Sequence, residues 1–273
     1  MTPLHITLPS GHKTRVLDTG GPDSTLVLVH GLGNSLEIWN RVLPQLAQSF
    51  RVIAFDLPGY GEASRPDATY DGPFFATQIV ALLDALGIER TILVGNSLGA
   101  SAILQMSAIA PQRIERAVLA APGGIGRRTN VLMRAAALPL IGGWLARPTP
   151  TNNRTTLKLA LHDHKHLTPD LIETFNLHAS RPGSARAFVR SLHTGVTLRG
   201  SRDSAQTRAL AASFPAPALV MWGRQDRVFP VAYAAEAAQL IPRAQLTLID
   251  ACGHYPQWEQ PEAFVAAVEA FAA

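Results

Sequence analysis

The sequence predicts an α/β fold: a doubly wound, mostly parallel sheet broken once by an inserted helical segment. Three observations carry this. Six short runs, at 26–29, 52–55, 92–94, 118–120, 219–222 and 246–249, are made of apolar and β-branched residues, as strands buried on both faces of a parallel sheet are. Helix-like stretches at 38–48, 75–86, 98–110, 232–240 and 261–273 fall between or after them, the rhythm of right-handed βαβ crossovers. That rhythm stops after Ala121 and resumes only near Pro217.

Taken in order, segments 4–8 and 14–18 precede the first apolar run and can add an antiparallel edge. Pro122-Gly123-Gly124 closes the first half of the sheet. The stretch that follows reads as several helices punctuated by Pro139, Pro148, Pro150, Pro169 and Pro182. Within it, Thr168-Pro169-Asp170 before an apolar run marks a helix start. The expected division is a sheet core from 1–121 and 213–273, and an all-helical cap from 122–212. Ligands of open α/β sheets bind at the carboxyl ends of the strands, so a cap there shapes the pocket.

Composition narrows the function classes. Of 273 residues, 47% are hydrophobic and 16% charged, which argues for a compact, core-rich body and against disorder. No apolar run is long enough to cross a bilayer, and 1–10 lacks a signal-peptide pattern. The single cysteine, Cys252, allows no internal disulfide and fits a reducing cytoplasm. The net charge of +4 hides an asymmetry, because 123–212 holds 13 Lys and Arg against 4 Asp and Glu. These cations are dispersed without aromatic interleaving, so they read as a solvated exterior rather than a nucleic-acid surface. The expected partner is a small molecule, with no nucleic acid and no stable membrane insertion, for a monomer or homodimer.

The chemistry is carried by Gly95-Asn96-Ser97-Leu98-Gly99, which follows a buried strand and opens an apolar helix. A sharp strand-to-helix turn of this kind forces the serine into a strained conformation and lifts its hydroxyl above the sheet, while bulk at either glycine would clash. Gly-x-Ser-x-Gly alone also occurs as an ordinary capping turn; the strand before it and the helix after it make Ser97 a nucleophile. A base should come from a later loop. His254, after the last strand, takes that role, and His30 is left to bond within its own loop. His162, His164 and His166 alternate like metal ligands, yet lack a neighbouring Cys or Glu and read as a polar turn. The orienting acid is Asp226, after the strand at 219–222, which completes the chain order Ser, Asp, His. Its competing reading is a surface ion pair with Arg224 or Arg227. Asp250 sits too near a strand end, and Asp203 belongs to the insert. Leu98 N–H, next to the nucleophile, and Leu32 N–H, in His30-Gly31-Leu32-Gly33, are the expected oxyanion donors. Gly31, Asn96, Trp144, Phe175 and Tyr255 are the expected pocket residues. No cofactor or metal is called for.

These motifs resemble the α/β-hydrolase superfamily along nearly the whole chain, with the cap least matched. Asp56-Leu57-Pro58-Gly59-Tyr60-Gly61 is similar to a turn that is structural in that family. Three patches resemble the meta-cleavage-product hydrolases, which cleave carbon–carbon bonds in dienoic keto acids: Gly95-Asn96-Ser97, 222–227, and Cys252-Gly253-His254 with Gln257-Trp258-Glu259. The chain departs from them at Tyr255, where they carry Trp, and at 167–180, where they place an arginine for the substrate carboxylate. Thr174 and Phe175 fall about there instead, and Arg181, Arg186 and Arg190 could substitute only in another register.

Serine at position 97 excludes the chemistries of this superfamily that need an aspartate nucleophile. The leading expectation is therefore a carboxylesterase acting on small to medium apolar acyl groups through an acyl-enzyme. A carbon–carbon hydrolase is the alternative, and a non-catalytic receptor on the same fold ranks below both. The apolar stretch 131–146, with Trp144, either lines the substrate entry or simply packs on the core.

Overall fold

The computed structural model describes residues 2–138 and 147–273. Its sheet has eight strands in the order β1-β2-β4-β3-β5-β6-β9-β10. These are β1 (Leu4–Thr7), β2 (Lys13–Asp18), β3 (Thr25–Val29), β4 (Arg51–Phe55), β5 (Thr91–Asn96), β6 (Ile114–Ala120), β9 (Ala218–Gly223) and β10 (Ala244–Ile249). β1 and β2 form the antiparallel edge, β2 also running antiparallel to β4. All later pairings are parallel. Every residue of β5 and β9 is buried, as their continuous apolar runs require.

Register is what builds the site. Val29 pairs with Gly95, Asn96 with Ala120, Ala120 with Met221, and Gly223 with Ile249. The carboxyl ends of β3, β5, β6, β9 and β10 therefore finish along one rim, and each hands the chain to a loop there.

Helices α1 (Leu43–Ser49), α2 (Gly72–Ala85) and α3 (Leu98–Ile109) flank the first half of the sheet. The single helix expected over 38–48 is instead a 3-10 turn, Leu36–Trp39, followed by α1. Pro44 explains the break: it suits the first turn of a helix but cannot continue one, since its ring would strike the carbonyl four residues earlier. α2 starts earlier than the apolar pattern, because Asp71 caps it by accepting from Phe74 N–H at 2.9 Å.

Between β6 and β9 lie α4 (Val131–Ala136), α5 (Pro150–Ala160), α6 (Pro169–Ala179), α7 (Ser184–Gly195) and α8 (Ser204–Ala212). The insertion is not all-helical. A hairpin of β7 (Val196–Thr197) and β8 (Gly200–Ser201) follows α7, its turn relying on Gly200 at φ 109°. Two-residue strands are too short to leave a periodicity. α9 (Ala232–Leu240), α10 (Pro256–Glu259) and α11 (Pro261–Ala272) complete the fold. Among the described residues no helix is long and apolar enough to cross a membrane.

Candidate active site

Ser97 stands between β5 and α3 at φ 54°, ψ −112°. This is left-handed backbone that a side-chain-bearing residue avoids, at a cost of about 1–3 kcal/mol. Its surroundings enforce it. A Cβ on Gly99 would collide with Val29 O, and one on Gly95 with Ala100 N, so the turn closes only with glycine at both positions. Ser97 N–H donates to Ala120 O at 2.8 Å, tying the elbow to β6.

Asp226 and His254 meet as their positions in the chain imply. His254 Nδ1 donates to Asp226 Oδ2 at 2.7 Å, with both residues buried. The other carboxylate oxygen accepts from Val228 N–H at 2.7 Å and Phe229 N–H at 2.9 Å. With its carboxylate held this way, Asp226 favours the tautomer that carries the proton on Nδ1, the one with a lone pair at Nε2. The competing ion pair is absent here, since Arg224 pairs with Asp250 on the surface.

The backbone of His254 is clamped as firmly as its ring. Its N–H donates to Ala160 O at 2.7 Å, and its carbonyl accepts from Asn96 Nδ2 at 3.0 Å. Asn96 is thus a brace and not a pocket residue: it is fully buried, does not line the cavity, and links β5 to the histidine loop. Glu259 adds a second brace, accepting from Gly253 N–H at 2.7 Å and His162 N–H at 2.7 Å. Burial pushes its carboxyl above the usual carboxylate range, although these backbone donors pull it down.

The loop after β3 closes against the elbow. A Cβ on Gly31 would stand 3.3 Å from Asn96 O and Ser97 Cβ, so glycine sets the approach. Leu98 is the first residue of α3, and its N–H has no helical acceptor. Leu32 lines the same cavity as Ser97. His30 stays inside its loop: Nδ1 bonds Gly31 O at 2.9 Å, and Nε2 accepts from Leu57 N–H at 2.9 Å. Asp56 ties Leu36 N–H, Glu62 N–H and Arg15 into one buried network below it.

Ser97 and His254 open into a cavity of about 260 Å³ roofed by the insertion. Gly31, Phe175 and Tyr255 line it as expected, whereas Trp144 lies outside the described residues. Tyr255 accepts from Asn34 Nδ2 at 3.1 Å, and burial pushes its hydroxyl up to about 12. Met133, Phe188 and Val228 give the wall apolar surface that no local motif announces. Among the described residues Arg147, exposed at the edge, is the one Lys or Arg lining it. Arg181 pairs with Glu62 and Arg190 with Asp67, while Arg186 donates to Arg65 O; none of the three lines the cavity.

The alternating His162, His164 and His166 do not converge on a common point. His166 Nδ1 lies 3.1 Å from Arg41 Nη1, and His164 Nε2 lies 3.2 Å from Lys158 O. Nearer the site, His178 lines the cavity and sets its Nε2 3.5 Å from Glu37 Oε2. Burial alone would raise the Glu37 carboxyl, but bonds from His178 and Ser35 and the charge of Arg15 outweigh it and hold it down at about 2.

The elbow, the buried acid–histidine pair and the sheet order settle the kinship. The α/β-hydrolase-fold family matches residues 24–261, and the chain belongs to it. A 2-hydroxymuconate semialdehyde hydrolase of Pseudomonas putida is 32% identical over 273 residues, covering 97% of this chain and 92% of that protein. Two solved structures each align with a TM-score of 0.82 over 99% of this hydrolase. One is a meta-cleavage product hydrolase at 27% identity, 97% of that chain being covered. The other is the 2-hydroxy-6-oxo-6-phenylhexa-2,4-dienoate hydrolase of a Rhodococcus species at 26%, with 99% covered.

Proposed function

We propose that this hydrolase is a serine acyl hydrolase in which Ser97, His254 and Asp226 form the triad beneath a helical cap. Ser97 Oγ attacks a carbonyl carbon and passes its proton to His254 Nε2, while Leu32 and Leu98 N–H receive the oxyanion. Collapse of the tetrahedral adduct expels the leaving group, which takes the proton from His254. Water, deprotonated by the same nitrogen, then releases the acid. Every step uses groups of this chain and calls for no metal or cofactor.

The bond cleaved is, on this reading, a carboxylic ester with a neutral, largely apolar acyl group. One observation carries it: α6 presents Phe175 to the cavity, and the nearby arginines of the insertion are spent on Glu62, Asp67 and a backbone carbonyl. A substrate carboxylate would find no buried cation among the described lining residues.

A second reading is carbon–carbon cleavage of a dienoic keto acid. The names of the relatives support it better than they support an esterase, and Arg147 could meet an acid at the cavity edge. Steady-state kinetics on short p-nitrophenyl esters and on a 2-hydroxy-6-oxo dienoate separate the two. Ester turnover with a kcat/KM at least tenfold above that on the dienoate is expected; the reverse order overturns the ester reading.

A further inference from the structure

Large apolar side chains are exposed at seven places among the described residues, and three of them share one patch. Val131 and Leu132 on α4 are 69% and 54% exposed, and Leu198, at the turn of the β7–β8 hairpin, is 52% exposed. Single exposed apolar side chains are normal on any protein, whereas a cluster marks a surface that meets something. The two elements are fastened together. Arg134 Nε donates to Leu198 O at 2.6 Å, and Ser201 N–H donates to Arg127 O at 2.9 Å. Met133, Ala136 and Ala137 pack against Leu192 and Val196, which leaves Val131 and Leu132 on the outer face of α4.

The patch borders the active site. Leu132 is both exposed and part of the cavity wall, so it stands at the mouth of the cavity that holds Ser97. The charge around it is of one sign. Segments 127–138 and 195–202 hold five arginines and no Asp or Glu. Arg227 joins them, its carbonyl accepting from Asn130 Nδ2 at 3.1 Å. None of the six forms an ion pair among the described residues, unlike Arg181, Arg190 and Arg208 elsewhere on the insertion. Of the acids that flank them in the chain, Asp203 is exposed and Asp226 is held by His254.

Unpaired arginines around exposed apolar side chains match an anionic lipid surface, where Val and Leu enter the acyl boundary and guanidinium groups stay among the headgroups. An acidic protein seated here would cover the cavity mouth, whereas a lipid surface sets acyl chains beside it. We propose that α4 and the β7–β8 hairpin dock this hydrolase on an anionic lipid surface, with the cavity mouth facing the lipid. The attachment is peripheral and reversible, and it does not depend on which bond the enzyme cleaves.

Cosedimentation of the full chain with vesicles tests this, using phosphatidylcholine alone and phosphatidylcholine mixed in equal parts with phosphatidylglycerol. At low salt the mixed vesicles should be bound roughly tenfold or more tightly than the neutral ones, and about 0.5 M salt should remove most of that preference. Arg127→Gln/Arg128→Gln/Arg199→Gln should weaken binding roughly tenfold or more, since each arginine near a charged surface contributes about fivefold. Val131→Ser/Leu198→Ser, which spares the cavity wall, should weaken it roughly fivefold. A control, Arg90→Gln/Arg116→Gln/Arg243→Gln, removes the same charge at the amino ends of β5, β6 and β10. It should change binding by less than about twofold. Thermal melts of all three variants show whether the fold is kept. No preference for anionic vesicles, binding unchanged in both patch variants, or an equal loss in the control overturns the inference. So does a wild-type dimer, seen by light scattering, that Val131→Ser/Leu198→Ser dissociates, because the patch then belongs to a second copy of the chain.

Discussion

The rim of the sheet and the roof over it turn different surfaces to the cavity between them. At the rim, Asp226, His254, Asn96 and Glu259 are each held by hydrogen bonds of 2.7–3.0 Å. Their freedom to move is small, as a constellation that must place atoms to a fraction of an ångström requires. The roof is fastened to the core just as closely, as by Tyr60 to Ser191 at 2.6 Å and Arg181 to Glu62 at 2.9 Å, but the wall it turns to the cavity is mostly apolar, with Leu132, Met133, Leu159, Phe175 and Phe188. The difference lies in what each turns to the cavity, hydrogen-bonded polar groups below and apolar surface above, and the proposed mechanism assigns chemistry to the first and selectivity to the second.

Breaking the rim should cost most. Ser97→Ala and His254→Ala are each expected to lower kcat by roughly four orders of magnitude, and Asp226→Asn by roughly three to four. Next comes the brace. Asn96→Ala leaves the triad side chains in place but frees the His254 carbonyl, and a misplaced base should lower kcat roughly 10- to 100-fold. A thermal melt run beside the assay separates this from unfolding.

The roof should respond in selectivity rather than in rate. Phe175→Arg sets a cation in the cavity wall and should shift the dienoate-to-ester ratio of kcat/KM toward the dienoate by about tenfold, the size of one charge-assisted hydrogen bond. An unchanged ratio would mean that Phe175 does not face the acid end of such a substrate.

The smallest expected effect is on stability in acid. The Glu37 carboxyl is held below its ordinary value of 4.5, at about 2, so its contribution is present above about pH 4.5 and fades as pH falls toward 2. Denaturant midpoints across that window should fall less steeply for Glu37→Gln than for the wild type. Parallel slopes would remove Glu37 from the account.

The three residues of the proposed triad could be named from the sequence because each follows a strand, and strands announce themselves as apolar runs, although β10, before His254, is a largely exposed edge strand and not one buried on both faces. Parallel register then aligns strand ends that are far apart in the chain, which is why Ser97, Asp226 and His254 could be named by position. Asn96 was legible as a neighbour of the serine but not in its role, since its partner is the carbonyl of His254 on another loop. His178 gave no signal at all. It lines the cavity and lies 3.5 Å from the carboxylate of Glu37, and neither relation is local in sequence. The break at Pro44 needed only the rule that proline starts helices but does not continue them.

The central claim is that Ser97 is the nucleophile, activated by its backbone and by His254. Intact-mass and peptide analysis after fluorophosphonate treatment tests it most directly. One adduct per chain, on Ser97, absent from Ser97→Ala and strongly slowed in His254→Ala, is the expected result. An adduct on another residue, or labelling that persists in Ser97→Ala, would contradict it.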